Sequence, residues 1–203
     1  MSWTFGERLI FHALAILGDA GFLLPGALAF VLLLWTFGCA RSALGFGAAV
    51  ALCVVAVTGS KIGFMACSAG SDAALRSPSG HAALSVVVYL SVAATARRAF
   101  PPWAGRLAAA LCFLLVVMIA VSRVVSYAHT VAETAMGAAI GAVCLAVFLC
   151  AAPQRLVFDR RAALATLATL AMVAAVLGLF GRRVSFEDRL ERVAEWIQPR
   201  IGC

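Results

Sequence analysis

Six stretches of this chain are long and apolar enough to cross a bilayer, and they decide most of what it can fold into. Residues 20–38, 43–64, 79–96, 104–123, 130–152 and 162–181 each run close to the roughly 20 residues that a helix needs to span the hydrocarbon core. With 64% hydrophobic and 12% charged residues and a mean hydropathy of +1.03, the chain has too little polar surface for a water-soluble globule. The expected fold is all-α: a polytopic membrane protein, a bundle of six transmembrane helices flanked by amphipathic terminal helices.

Residues 3–18 are apolar but too short to span, and Glu7, Arg8 and His12 recur there at helical spacing. That pattern predicts a helix lying at the interface, with His12 at headgroup level. At the other end, Ser185 and Asp188 have capping-box spacing, Phe186, Leu190, Val193, Ala194 and Ile197 share one helical face, and Pro199 ends the pattern. A second surface helix is expected there. Residues 1–19 lack the basic start and small-residue cleavage site of a signal peptide. With no internal repeat or linker in the sequence, residues 1–203 read as a single membrane-embedded domain.

The formal net charge of +7 does not point to nucleic acid, because the basic residues form short clusters between apolar runs rather than one patch with interleaved aromatics. They read as topology signals. Arg41, Arg97, Arg98, Arg106, Arg155, Arg160 and Arg161 fall on one side, whereas Lys61, Arg76 and Arg123 fall on the other. The richer side is expected to be cytoplasmic. The seven cysteines include no C-x-x-C pair, and Cys53, Cys112, Cys144 and Cys150 lie inside apolar runs as small buried residues. Gly137 and Gly141 form a G-x-x-x-G, read as a seam for close helix packing within the chain.

The polar residues do not scatter. Lys61 closes the second span, His81 opens the third, Arg123 closes the fourth and His129 opens the fifth, so alternation puts all four at one membrane face. Ionisable residues at that depth are functional candidates by default. Lys61 and Arg123 supply positive charge, and the arginine fork matches two phosphate oxygens at once. Pro78, Ser79 and Gly80 start a helix whose first N–H groups and dipole favour an anion. His129 and Glu133, four apart, share a helix face. The carboxylate can accept one ring N–H, fixing the tautomer and freeing the other nitrogen as a nucleophile. His81 is then placed to protonate the leaving oxygen.

A lysine after one helix, Pro-Ser-Gly-His opening the next, and Ser-Arg followed by five residues, His, three residues and an acid resemble the type 2 phosphatidic acid phosphatase (PAP2) superfamily. The motifs cover roughly residues 61–133. The resemblance implies that His129 forms a phosphohistidine, that His81 is the general acid and that Glu133 orients His129. It also implies that Lys61, Ser79, Gly80 and Arg123 bind the phosphate, and it implies neither a metal nor another cofactor. The chain departs from the family pattern twice. Where Arg-Pro usually follows seven residues after the lysine, this chain has Ser68 and Ala69. Either one phosphate ligand is missing or Arg76 replaces it. The acid of the third motif, usually Asp, is Glu133, one methylene longer.

The function expected first is a membrane phosphatase for a lipid phosphate or a lipid or isoprenoid diphosphate, with the headgroup reached from the periplasmic or exterior leaflet of a plasma (bacterial inner) membrane. Two alternatives stay open at this point: a phosphotransferase that passes the same phosphohistidine to an acceptor lipid, and a non-catalytic headgroup binder or transporter. Apart from the bilayer and its lipid substrate, the sequence names no partner and no oligomeric state.

Overall fold

A computed structural model describes residues 5–67 and 77–151. Six helices follow one another: α1 (Phe5–Gly18), α2 (Ala20–Thr36), α3 (Ala40–Cys67), α4 (Gly80–Ala99), α5 (Pro102–Val125) and α6 (Val131–Ala151). No strand occurs among the described residues. The expected span at 162–181, the amphipathic tail, and Arg76, Ser68 and Ala69 lie outside them, as do the side chains of Glu7 and Arg8.

The helices α4, α5 and α6 and residues Ala40–Phe64 of α3 are each long and apolar enough to cross a membrane. Residues Leu9–Gly18 and Ala20–Thr36 pass the same test only as a pair, bent by 49°. The described chain thus has four spans, or five if the bent pair is one. Within the interval expected for the first span, α2 alone has 17 residues, about 26 Å at 1.5 Å per residue, and so falls short of the hydrocarbon thickness by itself. The bend has a local cause. Asp19 sits between the helices in extended geometry and caps α2, its side chain accepting the Gly21 N–H at 2.7 Å. The helix expected over 3–18 is present as α1. Its C-terminal end docks on the bundle, where Leu14 is buried and the Tyr89 hydroxyl of α4 donates to the Leu17 carbonyl at 2.8 Å. His12 lies on the exposed surface.

α4 is the central helix: 61% of its span is buried, against 17% of α5. The core between α2, α3, α4 and α6 is built on Phe30, Phe46 and Phe148, with Phe46 edge-on to Phe30 at 5.0 Å and to Phe148 at 5.8 Å. Cys53 and Cys144 are buried as expected; Cys112 is only half-buried and Cys150 faces outward, where an apolar thiol is as well suited to lipid as to a core.

A close seam lies between α4 and α6. A Cβ at Gly137 would run into the Ser79 carbonyl, and one at Gly141 into the Ala83 carbonyl, with Val86 Cβ at 2.8 Å. Both glycines of the G-x-x-x-G are therefore used within the chain, drawing the start of α6 against the start of α4. Gly80 completes the convergence from α3, since a Cβ there would meet Val57 at 3.5 Å.

Candidate active site

The end of the bundle where α3 and α5 finish and α4 and α6 begin carries the polar residues. Lys61 lies 21 positions past Ala40, where α3 starts, about 31 Å along the axis. Arg41 and Lys61 therefore mark opposite ends of one span. Lys61 is 4% exposed. A membrane-anchoring lysine snorkels to keep its ammonium in water, so this burial favours a lysine turned into the protein. It stands one helical turn beyond Val57, the residue against Gly80.

Ser79 caps α4 in extended geometry, its hydroxyl accepting the Ala82 N–H at a long 3.5 Å. Pro78 therefore precedes the cap instead of occupying the first helical position. Ser77, Pro78 and Ser79 are all buried. Ser79 shows no exposed surface, and its hydroxyl serves the helix before any ligand; Gly80 and His81, both half-buried, are the parts of the motif that reach the surface.

Arg123, half-buried at the end of α5, organises the turn into α6. Its carbonyl accepts from both the Ala128 and His129 N–H groups at 3.1 Å. Tyr127 makes this reversal at φ 56°, in the left-handed region, and the residue is 88% exposed. The five residues between Arg123 and His129 are therefore the last of α5 and a tight turn that returns the histidine backbone to the arginine. The Arg123 side chain lies beside Ser122, with Nε 3.5 Å from the hydroxyl.

Glu133 ties these pieces together. Its Oε2 is 3.3 Å from His129 Nδ1 and accepts the Thr130 N–H at 2.9 Å; its Oε1 accepts the Ser77 N–H at 3.1 Å. The Glu133 carbonyl accepts the Ser79 N–H at 3.0 Å, and its own N–H donates to Thr130 Oγ1 at 3.2 Å. Thr130 and Glu133 form a reciprocal capping box at the start of α6. The same carboxylate therefore caps its helix, meets the histidine and pins the loop before α4. A buried carboxylate survives only when its oxygens are satisfied in this way.

His81 opens toward the α1–α2 corner. Its Nε2 is 3.8 Å from Asp19 Oδ2, and a Cβ on Gly18 would lie 3.1 Å from His81 Cδ2. Seven of the eight expected site residues, Lys61, Ser79, Gly80, His81, Arg123, His129 and Glu133, are thus at one end of the bundle; the eighth, Arg76, is outside the described residues. No group of three His, Cys, Asp or Glu side chains suited to a metal occurs among the described residues. The sequence reading passed over Thr130 and Asp19. Thr-x-x-Glu before an apolar run signals the first, and a lone carboxylate between two apolar runs signals the second.

A family model of the PAP2 superfamily matches residues 42–157, more than half of the chain. The chain belongs to the PAP2 superfamily. PAP2 membership assigns it phosphatase-type chemistry, and its apolar helices make it a membrane protein. The matched region runs from the first turn of α3 to beyond α6, and so contains both histidine motifs of this PAP2 protein, while α1, α2 and Asp19 precede it. No curated protein and no solved structure matches the chain.

Proposed function

We propose that this PAP2 protein is an integral membrane phosphatase that releases phosphate from a lipid phosphate or a lipid or isoprenoid diphosphate through a phosphohistidine on His129. The observation that carries the reading is the buried Glu133 carboxylate 3.3 Å from His129 Nδ1. A carboxylate there holds the ring proton on Nδ1 and leaves the lone pair on Nε2, the form a nucleophilic imidazole needs.

In the first step His129 Nε2 attacks phosphorus while the bond to the leaving oxygen breaks, and His81 gives its proton to that oxygen. In the second, water attacks the phosphohistidine, the P–N bond breaks and the water proton returns to His81. Phosphoryl transfer is governed by positioning and charge neutralisation; Lys61, Arg123 and the backbone at Gly80 supply these, with Ser79 setting the helix start. Arg76 is the further phosphate ligand. No metal or other cofactor takes part. The site opens to the periplasm or exterior of a bacterial inner membrane, on the arginine-poor side.

Phosphate release by purified protein in detergent or nanodiscs tests this, with phosphatidic acid, phosphatidylglycerol phosphate, an isoprenoid diphosphate and lipid A as substrates. At least one is hydrolysed, and His129→Ala abolishes the release. Normal turnover by His129→Ala, or no release from any substrate by the wild type, refutes it.

A further inference from the structure

The proposed mechanism gives His81 a proton to deliver but does not say what orients its ring. The described structure offers a carboxylate for that purpose from outside the region shared with the PAP2 family. The break between α1 and α2 leaves Asp19 on the corner facing α4, with its two oxygens in different roles: Oδ1 accepts the Gly21 N–H at 2.7 Å and Oδ2 stands 3.8 Å from His81 Nε2.

Three further features hold the corner there. Gly18 lets the chain pass directly over the imidazole, because a Cβ would come to 2.7 Å from Ile119 Cγ2 and 3.1 Å from His81 Cδ2. Tyr89, two turns beyond His81 on the same face of α4, donates its hydroxyl to the Leu17 carbonyl at 2.8 Å. Capping by Oδ1 restrains a side chain that is otherwise half exposed, with its second oxygen 3.8 Å from the ring nitrogen. A helix cap alone needs no such arrangement, since serine or asparagine caps equally well.

The geometry points to Asp19 as a positioning residue for His81, a carboxylate brought in by the α1–α2 corner that holds the imidazole of the proton donor. This rests on the proposed phosphohistidine mechanism. The ring meets Asp19 through Nε2–H and gives the Nδ1 proton to the leaving oxygen as the P–O bond breaks, so the Asp19 carboxylate stays ionised throughout. In the second step the proton of the attacking water returns to Nδ1.

The leaving group separates this role from a purely structural one. An alcohol leaves only with a proton, whereas 2,4-dinitrophenolate leaves without one, so help from the proton donor matters for the first substrate and little for the second. Asp19→Asn keeps the cap and removes the charge. General acid catalysis is worth about 10²–10⁴-fold, and the loss of the group that orients the acid should remove about 10- to 100-fold of kcat on short-chain phosphatidic acid, or on whichever alkyl phosphate monoester the wild type hydrolyses in its place. On 2,4-dinitrophenyl phosphate, whose leaving group needs no proton, the loss should stay within about threefold. Asp19→Ser, another good cap, should repeat the pattern, Asp19→Glu should recover most of the lost rate, and His81→Ala should show the same dependence on leaving group more strongly.

Equal losses on both substrates for Asp19→Asn and Asp19→Ser would reduce Asp19 to a structural corner, and no loss on phosphatidic acid would remove it from the reaction; either overturns the proposal while leaving the phosphatase reading intact. If the wild type shows no phosphate release that depends on His129, both fall together.

Discussion

Replacing Glu133 by glutamine tests the centre of the site with a change of one atom. The carboxylate accepts from Thr130 N and Ser77 N and meets His129 Nδ1, all from a side chain that is 6% exposed. Glutamine has one acceptor oxygen, and its amide nitrogen can only donate. If the oxygen stays with Thr130 and Ser77 turns to the NH2 group, a buried N–H faces a donor. The opposite flip spoils the cap. Hydrogen bonds to charged groups contribute about 1.5–3 kcal/mol, and a buried unsatisfied donor costs about 1–3 kcal/mol. A loss of about 2–4 kcal/mol in stability follows.

The effect on rate has a separate origin. Thr130 and His129 share Oε2, so in the first flip the amide oxygen still meets Nδ1–H and only the negative charge is lost. In the opposite flip the NH2 faces Nδ1 and favours the tautomer whose lone pair is there, which puts the proton on the nitrogen that attacks in the proposed mechanism. In the serine protease triad the comparable Asp→Asn change costs about 10⁴ in kcat. With Lys61 and Arg123 still supplying charge in the proposed mechanism, the expected loss in kcat lies between about 10-fold, where only the carboxylate charge is lost, and about 10⁴-fold, where the tautomer is reversed, or about 1.4–5.5 kcal/mol of barrier, with KM nearly unchanged. Phosphate release from the best lipid substrate in nanodiscs, measured beside a thermal unfolding curve, separates the two effects. A variant that keeps kcat within threefold of wild type refutes the role of Glu133, whatever its melting temperature.

Gly137→Ala should cost at least about 2 kcal/mol, because the new methyl meets the Ser79 carbonyl and neither backbone can move without opening the α4–α6 seam; a thermal shift in detergent reads it, and an unchanged Tm argues against so tight a seam. Tyr127→Gly should leave stability unchanged or raise it by up to about 1 kcal/mol, since relief of the left-handed conformation is offset by the entropy of glycine, whereas Tyr127→Val should lower it by a similar amount. Vanadate, which copies the five-coordinate phosphorus, should inhibit competitively against the lipid substrate, and EDTA should leave the rate unchanged; strong inhibition by EDTA would require a metal in the mechanism.

The spans were legible because each is a single apolar run of bilayer length, a signal that needs no knowledge of neighbours. α3 to α6 accordingly lie within a few residues of their expected intervals. The first span was harder to read, because composition is blind to a capping aspartate that bends a helical pair. Lys61, His81, Arg123 and His129 could be put at one end from alternation alone. Their couplings could not. Hydropathy is silent on whether Ser77 N–H reaches a carboxylate 56 residues away, or whether Ser79 keeps its hydroxyl for its own helix. Thr130 is different: its capping box is local, and Thr-x-x-Glu is visible in the sequence to anyone who asks what starts α6.

The positions of the two histidines depend on features that are individually ordinary. His129 is placed by backbone donors returning to the Arg123 carbonyl, and its ring is met by a residue already required as a helix cap. His81 follows a capping serine whose own N–H is held by the Glu133 carbonyl. Each ring is therefore fixed relative to a helix start, and the two starts are fixed to each other by Glu133 and by the glycines behind them. Most of these links are between main-chain atoms or through one buried carboxylate, so surface substitutions elsewhere in the loops have little leverage on the site. A membrane favours this construction: a helix end in lipid must satisfy its orphan amides internally, and the residues that do so here also fix two imidazoles at the same end of the bundle.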